Sequence, residues 1–209
     1  MTANHITGII LAGGQSRRMG GGDKCLLPLA GKPMLQHVID RIGPQVSNLA
    51  INANGDPARF GTFGLDVVAD TVGGFAGPLA GILAGLRWSA ANTPAADWIA
   101  TVSADAPFLP NNLVALLHET AAANPGAIAL AASHGHAHPV IGLWPVAHAD
   151  DLEAALGEGV RKVLHWTDRH GTLTVEFSPI AVGGQNIDPF FNANTPDDLK
   201  QAEALLHSG

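Results

Sequence analysis

Arg17, Arg18 and Lys24 stand close together in a stretch that also carries Gly13, Gly14, Gly20, Gly21 and Gly22. Glycine lets backbone N–H groups approach an anion with no Cβ in the way. Successive N–H groups aimed into one hollow form an anion nest, and guanidinium or ammonium groups beside it neutralise phosphate oxygens. Phosphate binding is the chemistry this combination points to. The competing reading is a glycine-rich surface turn with incidental basic residues, and for Arg17 that reading is preferred. Neither G-x-x-x-x-G-K-S/T nor G-x-G-x-x-G occurs anywhere in the chain, so the loop is a phosphate loop of another kind. Asp105 follows an apolar run and precedes Pro107. A carboxylate there suits a hard cation such as Mg²⁺, or it caps the Ala106-Pro107 turn.

The elements that must position these groups alternate. Ile6 to Leu11 is short, apolar and β-branched, so a buried strand is expected immediately before the loop. A helix is expected to open at Lys32-Pro33-Met34-Leu35, with Pro33 in its first turn. Strands are expected at Val46 to Ile51, Leu65 to Ala69 and Trp98 to Ser103, with a helix carrying Leu79, Ile82, Leu83 and Leu86 before the last of them. Beyond these come a helix near Asn111 to Asn124 and strands at Ala127 to Ala132 and Val140 to Trp144. Helices at Asp150 to Leu156 and Val160 to Trp166 then precede a strand at Thr172 to Phe177. Thr195 caps a final helix, with Pro196 at its first position. The pattern predicts an α/β fold: three layers, a mostly parallel sheet with helices on both faces, in one domain over residues 1–209. In such sheets ligands bind beyond the carboxyl ends of the strands. Gly13, Asn52, Asp70 and Asp105 each follow such an end, so these four are expected to meet on one rim.

Composition narrows the function classes. The 209 residues are 46% hydrophobic, enough for a full core, and no apolar run approaches the roughly 20 residues of a membrane span. The single cysteine, Cys25, suits a reducing cytoplasm, and the N-terminus lacks a basic signal-peptide region. A net charge of −7 gives nucleic-acid binding little support. Yet between His5 and Ile39 four cations (Arg17, Arg18, Lys24, Lys32) face the single acid Asp23, which fits a small anion held locally. His134, His136 and His138 alternate, but no cysteine or obvious fourth ligand accompanies them, so a strand start is preferred to a zinc site.

Leu11-Ala12-Gly13-Gly14-x-Ser16-x-Arg18-Met19-Gly20-x-x-Asp23-Lys24 resembles the signature of the nucleotidyltransferases that move NMP from an NTP to an acceptor phosphate. Within them it is most similar to the molybdenum cofactor guanylyltransferases, where Leu-Ala-Gly-Gly goes with guanine and Leu-Ala-Ala-Gly with cytidine users. The likeness continues through Asn52-Ala53-Asn54, Asp70, Gly77-Pro78-Leu79-Ala80-Gly81-Ile82, Asp105-x-Pro107, His138-Pro139-Val140, Gly159-Val160-Arg161-Lys162-Val163 and Phe191-x-Asn-x-Asn-Thr-Pro.

The resemblance implies a Rossmann-like nucleotidyltransferase that moves GMP from Mg-GTP to the terminal phosphate of molybdopterin, or its molybdenum-loaded form, and releases pyrophosphate. It implies that Lys24, Arg18 and Asp105 are catalytic, with Asp105 holding Mg. Leu11, Ala12, Gly13, Gly14, Asn52 and Asp70 would hold the nucleotide, and acceptor-rich Asn52 and Asp70 suit the donor edge of guanine. Arg161, Lys162, Asn192 and Asn194 would face the pterin. From the residues alone, Asn52 and Asp70 read equally as strand-end turn formers, and Arg161-Lys162 as a solvated helix face. The N-terminal half is expected to hold the nucleotide and the C-terminal half the acceptor, in a monomer with transient contacts to cofactor-biosynthesis or molybdoenzyme partners. The alternatives are a cytidylyltransferase acting on molybdopterin or an isoprenoid precursor, and a non-catalytic nucleotide or cofactor carrier.

Overall fold

The computed structural model describes residues 5–13, 23–73 and 77–207. Strand β1 (Ile6–Leu11) is an interior strand of a seven-stranded sheet. A two-strand hairpin, β2 (Pro28–Leu29) and β3 (Lys32–Pro33), leads into helix α1 (Met34–Ile42). β4 (Asn48–Asn52), β5 (Asp66–Val68), α2 (Pro78–Asn92), β6 (Trp98–Ser103) and α3 (Leu113–Ala122) follow. The second half adds β7 (Ala129–Ser133), β8 (His136–Pro145), α4 (Ala149–Gly157), α5 (Val163–Thr167) and β9 (Leu173–Glu176). It closes with a second hairpin, β10 (Ile180–Val182) and β11 (Gln185–Ile187), and helix α6 (Pro196–His207).

The sheet order is β5-β4-β1-β6-β8-β7-β9. β8 alone runs against its neighbours; the pairs β5/β4, β4/β1, β1/β6 and β7/β9 are parallel. The alternating directions of side chains along a strand split the core in two. Ile6 and Ile10 of β1 join Leu35 and Val38 of α1 and Leu113 and Leu117 of α3 on one face. Ile9 joins Leu79 and Leu83 of α2, Leu152 of α4 and Trp166 of α5 on the other. A smaller third cluster seats α6, through Ala202 and Leu205, against Leu29, Met34 and Phe108. None of the helices, among the described residues, is long and apolar enough to cross a membrane.

Several element bounds differ from expectation, each for a local reason. Pro33 does not enter the first turn of α1: its ψ of 142° is extended, and it is the helix N-cap. Ala30 and Gly31, at φ 46° and 84°, fold Lys32-Pro33 back onto Pro28-Leu29 instead. β8 begins at His136 rather than Val140, because the turn at His134 (φ 51°) and Gly135 (φ 75°) pairs it with the end of β7. Residues 159–162 are a loop, and α5 starts only at Val163, since Gly159 takes φ 87°. The β10/β11 hairpin, turning on Gly183-Gly184 with both φ positive, has no counterpart in the expected elements.

Candidate functional site

Parallel register brings the strand ends level. Leu11 lies beside both Asn52 and Ser103, and Asn52 beside Val68. The ladder continues one step past the strands, with Ala12 N donating to Asn52 O (2.8 Å), Ala53 N to Val68 O (3.0 Å) and Ala104 N to Leu11 O (3.1 Å). The segments after β1, β4, β5 and β6 therefore share one rim. A cavity of about 730 Å³ opens there, lined by Leu11, Ala12, Gly13, Asn52, Asp70 and Ser103 among others. Of the four residues expected to converge, Gly13, Asn52 and Asp70 line this cavity directly, and Asp105 is bonded to its wall through Ser103.

One end of the rim is built from amides. The Asn52 side chain is 3% exposed; its NH₂ donates to Val68 O (3.0 Å) and Asp70 Oδ1 (2.9 Å). Asn54 NH₂ donates to Asp70 Oδ2 (2.7 Å), and Asp70 N donates to Asn54 Oδ1 (2.9 Å). With both its protons spent, Asn52 has only its carbonyl oxygen left to offer. That oxygen faces α2, which comes so close that a Cβ at Gly81 would collide with it. This end of the site consequently presents acceptors.

The other end is ionic and is assembled from three distant segments. Lys24 Nζ pairs with Asp105 Oδ2 (2.5 Å) and donates to Asn194 Oδ1 (2.7 Å), while Ser103 Oγ donates to Asp105 Oδ1 (2.5 Å). Lys24 and Asp105 are only 13% and 19% exposed, so their attraction is weakly screened. The segment before α6 is tied in by Ala193 N donating to Asp105 O (3.1 Å). A capping box follows: Asp198 N donates to Thr195 Oγ1 (3.2 Å) while Thr195 N donates back to Asp198 Oδ2 (2.8 Å). Asn192 Oδ1 is buried without a hydrogen-bond donor. Beside Lys24, burial and the nearby Asp23 push the Cys25 thiol up to about 12, so it is a packing residue rather than a nucleophile.

The other expected site residues fall as follows. Gly14, Arg17 and Arg18 lie outside the described residues. Arg161 donates to Leu156 O and Val160 O, both 2.8 Å, and closes the C-terminus of α4; Lys162 is exposed at the start of α5. Neither is joined to the Lys24–Asp105 cluster by any of these bonds. His134, His136 and His138 do not converge: His136 Nδ1 lies 2.8 Å from His134 O, and His138 Nε2 lies 2.7 Å from Ser133 Oγ. Among the described residues no group of three or more His, Cys, Asp or Glu is arranged to hold a metal. Sequence reasoning missed Ser103 and Arg59, and named Asp23 only as part of the signature and as the single acid of its stretch. Ser103 was legible as the last residue of a strand two positions before Asp105; Arg59 carries no such signal.

Comparison with known proteins points one way. Residues 8–172 match the MobA-like NTP transferase domain. The chain is 54% identical over 205 residues to a molybdenum cofactor guanylyltransferase of Bradyrhizobium sp. (strain ORS 278), covering 98% of this chain and 94% of the relative. It is 53% identical over 204 residues to one of Mesorhizobium japonicum, covering 97% of each. The fold is similar to that of molybdopterin-guanine dinucleotide biosynthesis protein A from Archaeoglobus fulgidus, with a TM-score of 0.72 at 23% identity, over 97% of this chain and 100% of that one.

Proposed function

Because the chain belongs to the MobA-like NTP transferases, the family of the molybdenum cofactor guanylyltransferases, we propose that it transfers GMP from Mg-bound GTP to the terminal phosphate of molybdopterin. An acceptor phosphate oxygen attacks the α-phosphorus; the new P–O bond forms as the bond to the β-phosphate oxygen breaks, and pyrophosphate leaves. The observation that carries this reading is the polarity of the cavity rim. Acceptors stand at the β5 end and the Lys24–Asp105 pair at the β6 end. Three strand spacings separate those ends, about 14 Å at ~4.8 Å per strand, a separation suited to a nucleoside triphosphate laid along the rim.

At the base end, Asn52 and Asp70 accept from guanine N1–H and its amino group. Cytosine offers one donor on its pairing edge and guanine two, so an acceptor-only pair favours GTP over CTP. Ala12 and Gly13 bring backbone close to the nucleotide, and Lys24 neutralises charge as it shifts toward the departing phosphates. Asp105 is the residue suited to Mg²⁺. This hard cation takes one or two carboxylates together with substrate phosphates and water, and Asp105 is the carboxylate at the ionic end, oriented by Ser103. A Mg²⁺ ion held by Asp105 would supply charge neutralisation at the oxygens of the α-phosphate whose phosphorus is attacked. In this reading the N-terminal half holds the nucleotide, while Asn192 and Asn194 face the acceptor from the C-terminal half, with Arg161 and Lys162 at its margin.

The test is pyrophosphate release from GTP and from CTP, with and without molybdopterin. GTP with molybdopterin is expected to turn over and CTP is not. Turnover of CTP would establish the cytidylyltransferase alternative; GTP binding with no release from any acceptor would establish a carrier.

A further inference from the structure

Between the two ends of the rim stands a charged pair that belongs to neither of the two networks described above. Arg59, in the 3₁₀ stretch Pro57–Phe63, projects into the cavity wall beside Asp23, the residue immediately before Lys24. Its Nε lies 2.5 Å from Asp23 Oδ2 as an ion pair rather than a directed hydrogen bond. Its two Nη groups are committed elsewhere, donating to Asn54 O (2.5 Å) and Asp56 O (2.6 Å). The guanidinium carbon stacks 4.7 Å from the centre of the Phe60 ring. Gly55 sits at φ 88°, and a Cβ there would lie 3.1 Å from Nη1, so the turn is shaped around this side chain. A guanidinium held by two carbonyls and a ring is rigid, and its geometry leaves one edge for a carboxylate.

The connections on either side give the pair its meaning. Asn54, whose carbonyl Arg59 holds, uses its own amide to hold Asp70 at the base end. Asp23, which Arg59 pairs with, is followed by Lys24 on Asp105 at the ionic end. We infer that Arg59 is a positioning residue for nucleotidyl transfer: through Asp23 it clasps the closing end of the phosphate loop to the base-binding turn and so sets where Lys24 stands. This deepens, and rests on, the guanylyltransferase reading. Both side chains are about a quarter exposed, 26% for Arg59 and 23% for Asp23, so the pair contributes little to folding stability. Its effect lies in placement, because small displacements of a charge-stabilising group cost rate steeply.

The experiment uses the lone cysteine as a reporter. Cys25 is buried directly after Lys24, so its rate of alkylation by iodoacetamide reads how firmly residues 23–26 are held, without any substrate. Arg59→Gln, Asp23→Asn and the double variant are compared with wild type for alkylation rate, kcat and KM for GTP. The clasp predicts that each single variant alkylates faster and loses about tenfold or more in kcat. It also predicts that the double variant is no worse than either single and that Arg59→Lys recovers part of the loss. A purely structural Arg59 would lower thermal stability with no kcat-specific loss. An Arg59 that touches nucleotide directly would raise KM while Asp23→Asn did not. Either result, or unchanged alkylation in both single variants, overturns the inference. If Arg59→Gln does not fold, Asp23→Asn alone decides. Failure of the wild type to transfer GMP would sink the functional reading and leave the alkylation arm interpretable.

Discussion

The two ends of the rim are built on opposite plans. Asn52, Asn54 and Asp70 lie within 19 residues of one another and satisfy each other through amide and carboxylate at the ends of two adjacent strands. Lys24, Asp105 and Asn194 span 171 residues and meet only because a loop, a strand end and the segment before α6 come together in the folded chain. A locally closed network is formed before ligand arrives, so it suits recognition. An ionic cluster whose members arrive separately retains charges that can re-pair when substrate enters, so it suits chemistry. Damage at the first end should appear in KM and base choice, and damage at the second in kcat.

The largest expected effect breaks the ionic end. Asp105→Ala removes both the partner of Lys24 and the carboxylate proposed for Mg²⁺. Its kcat is expected to fall by about 10³-fold or more, while GTP binding, measured by equilibrium dialysis, is largely kept. Equal losses of binding and turnover would erase the distinction between the two ends.

The matching change at the base end is Asp70→Ala. It removes an acceptor and also strands an amide proton of buried Asn52, while exposed Asn54 turns to water. Leaving such groups unpaired costs about 1–3 kcal/mol, so KM for GTP is expected to rise about 10- to 100-fold at nearly constant kcat. Because ITP lacks the amino group of guanine, the preference for GTP over ITP should shrink in the same variant; an unchanged preference would remove Asp70 from base recognition.

A smaller effect is expected at Gly81. Alanine there meets Asn52 Oδ1, which cannot retreat without breaking its bonds to Val68 and Asp70. Overpacking of this kind costs about 1–3 kcal/mol. Urea denaturation should show that loss, together with a modest rise in KM for GTP. A loss of stability with KM untouched would show that Asn52 carbonyl is not part of the base site.

The contrast also explains what was legible in the sequence. β1 and β6 announce themselves as apolar runs, the first stopping at the glycines from Gly13 and the second at Ser103, and parallel topology then forces whatever follows them onto one rim. Gly13, Asn52, Asp70 and Asp105 could therefore be placed together before any coordinates. Pairings set by side-chain reach were not legible. Nothing in the spacing of Lys24 and Asn194 says that they touch, and Arg59 reads as an ordinary surface arginine until the turn at Gly55 wraps its guanidinium. Arg161 carries the opposite lesson. Its basic neighbour leaves an acceptor contact and a solvated helix face equally open, and in the folded chain its Nη1 donates to the carbonyls of Leu156 and Val160 around the end of α4. Helix ends compete for arginines, and periodicity does not reveal who wins. The β10/β11 hairpin was missed because its strands are three residues each, too short for a periodic signal.

The smallest expected effect concerns how the acceptor side is anchored. The segment bearing Asn192 and Asn194 begins at Asp188, whose carboxylate accepts from Ser133 Oγ at 2.9 and 3.0 Å. With that hydroxyl proton given to Asp188, His138 Nε2 must be the donor across its 2.7 Å contact with Ser133 Oγ. The ring also packs 4.6 Å from Phe190, within the same segment. Burial lowers the His138 pKa below its ordinary 6.5, outweighing the opposing pull of Asp188 and Glu176. Below pH 6.5 the unfolded chain then binds a proton that the folded chain resists, so stability from this group is complete above that pH and declines as pH falls through it. His37, held below 6.5 by its own burial, adds to the same slope. His138→Gln keeps an N–H donor without a titratable ring, so its melting temperature should fall less between pH 7 and pH 5 than that of wild type. If the acceptor side is anchored through this contact, acid should also raise KM for molybdopterin in wild type more than in His138→Gln, while KM for GTP follows the same course in both. Parallel rises for the two substrates would mean that the cluster supports the whole fold, and the division between a preformed base end and a separately assembled ionic end would not extend to the acceptor side.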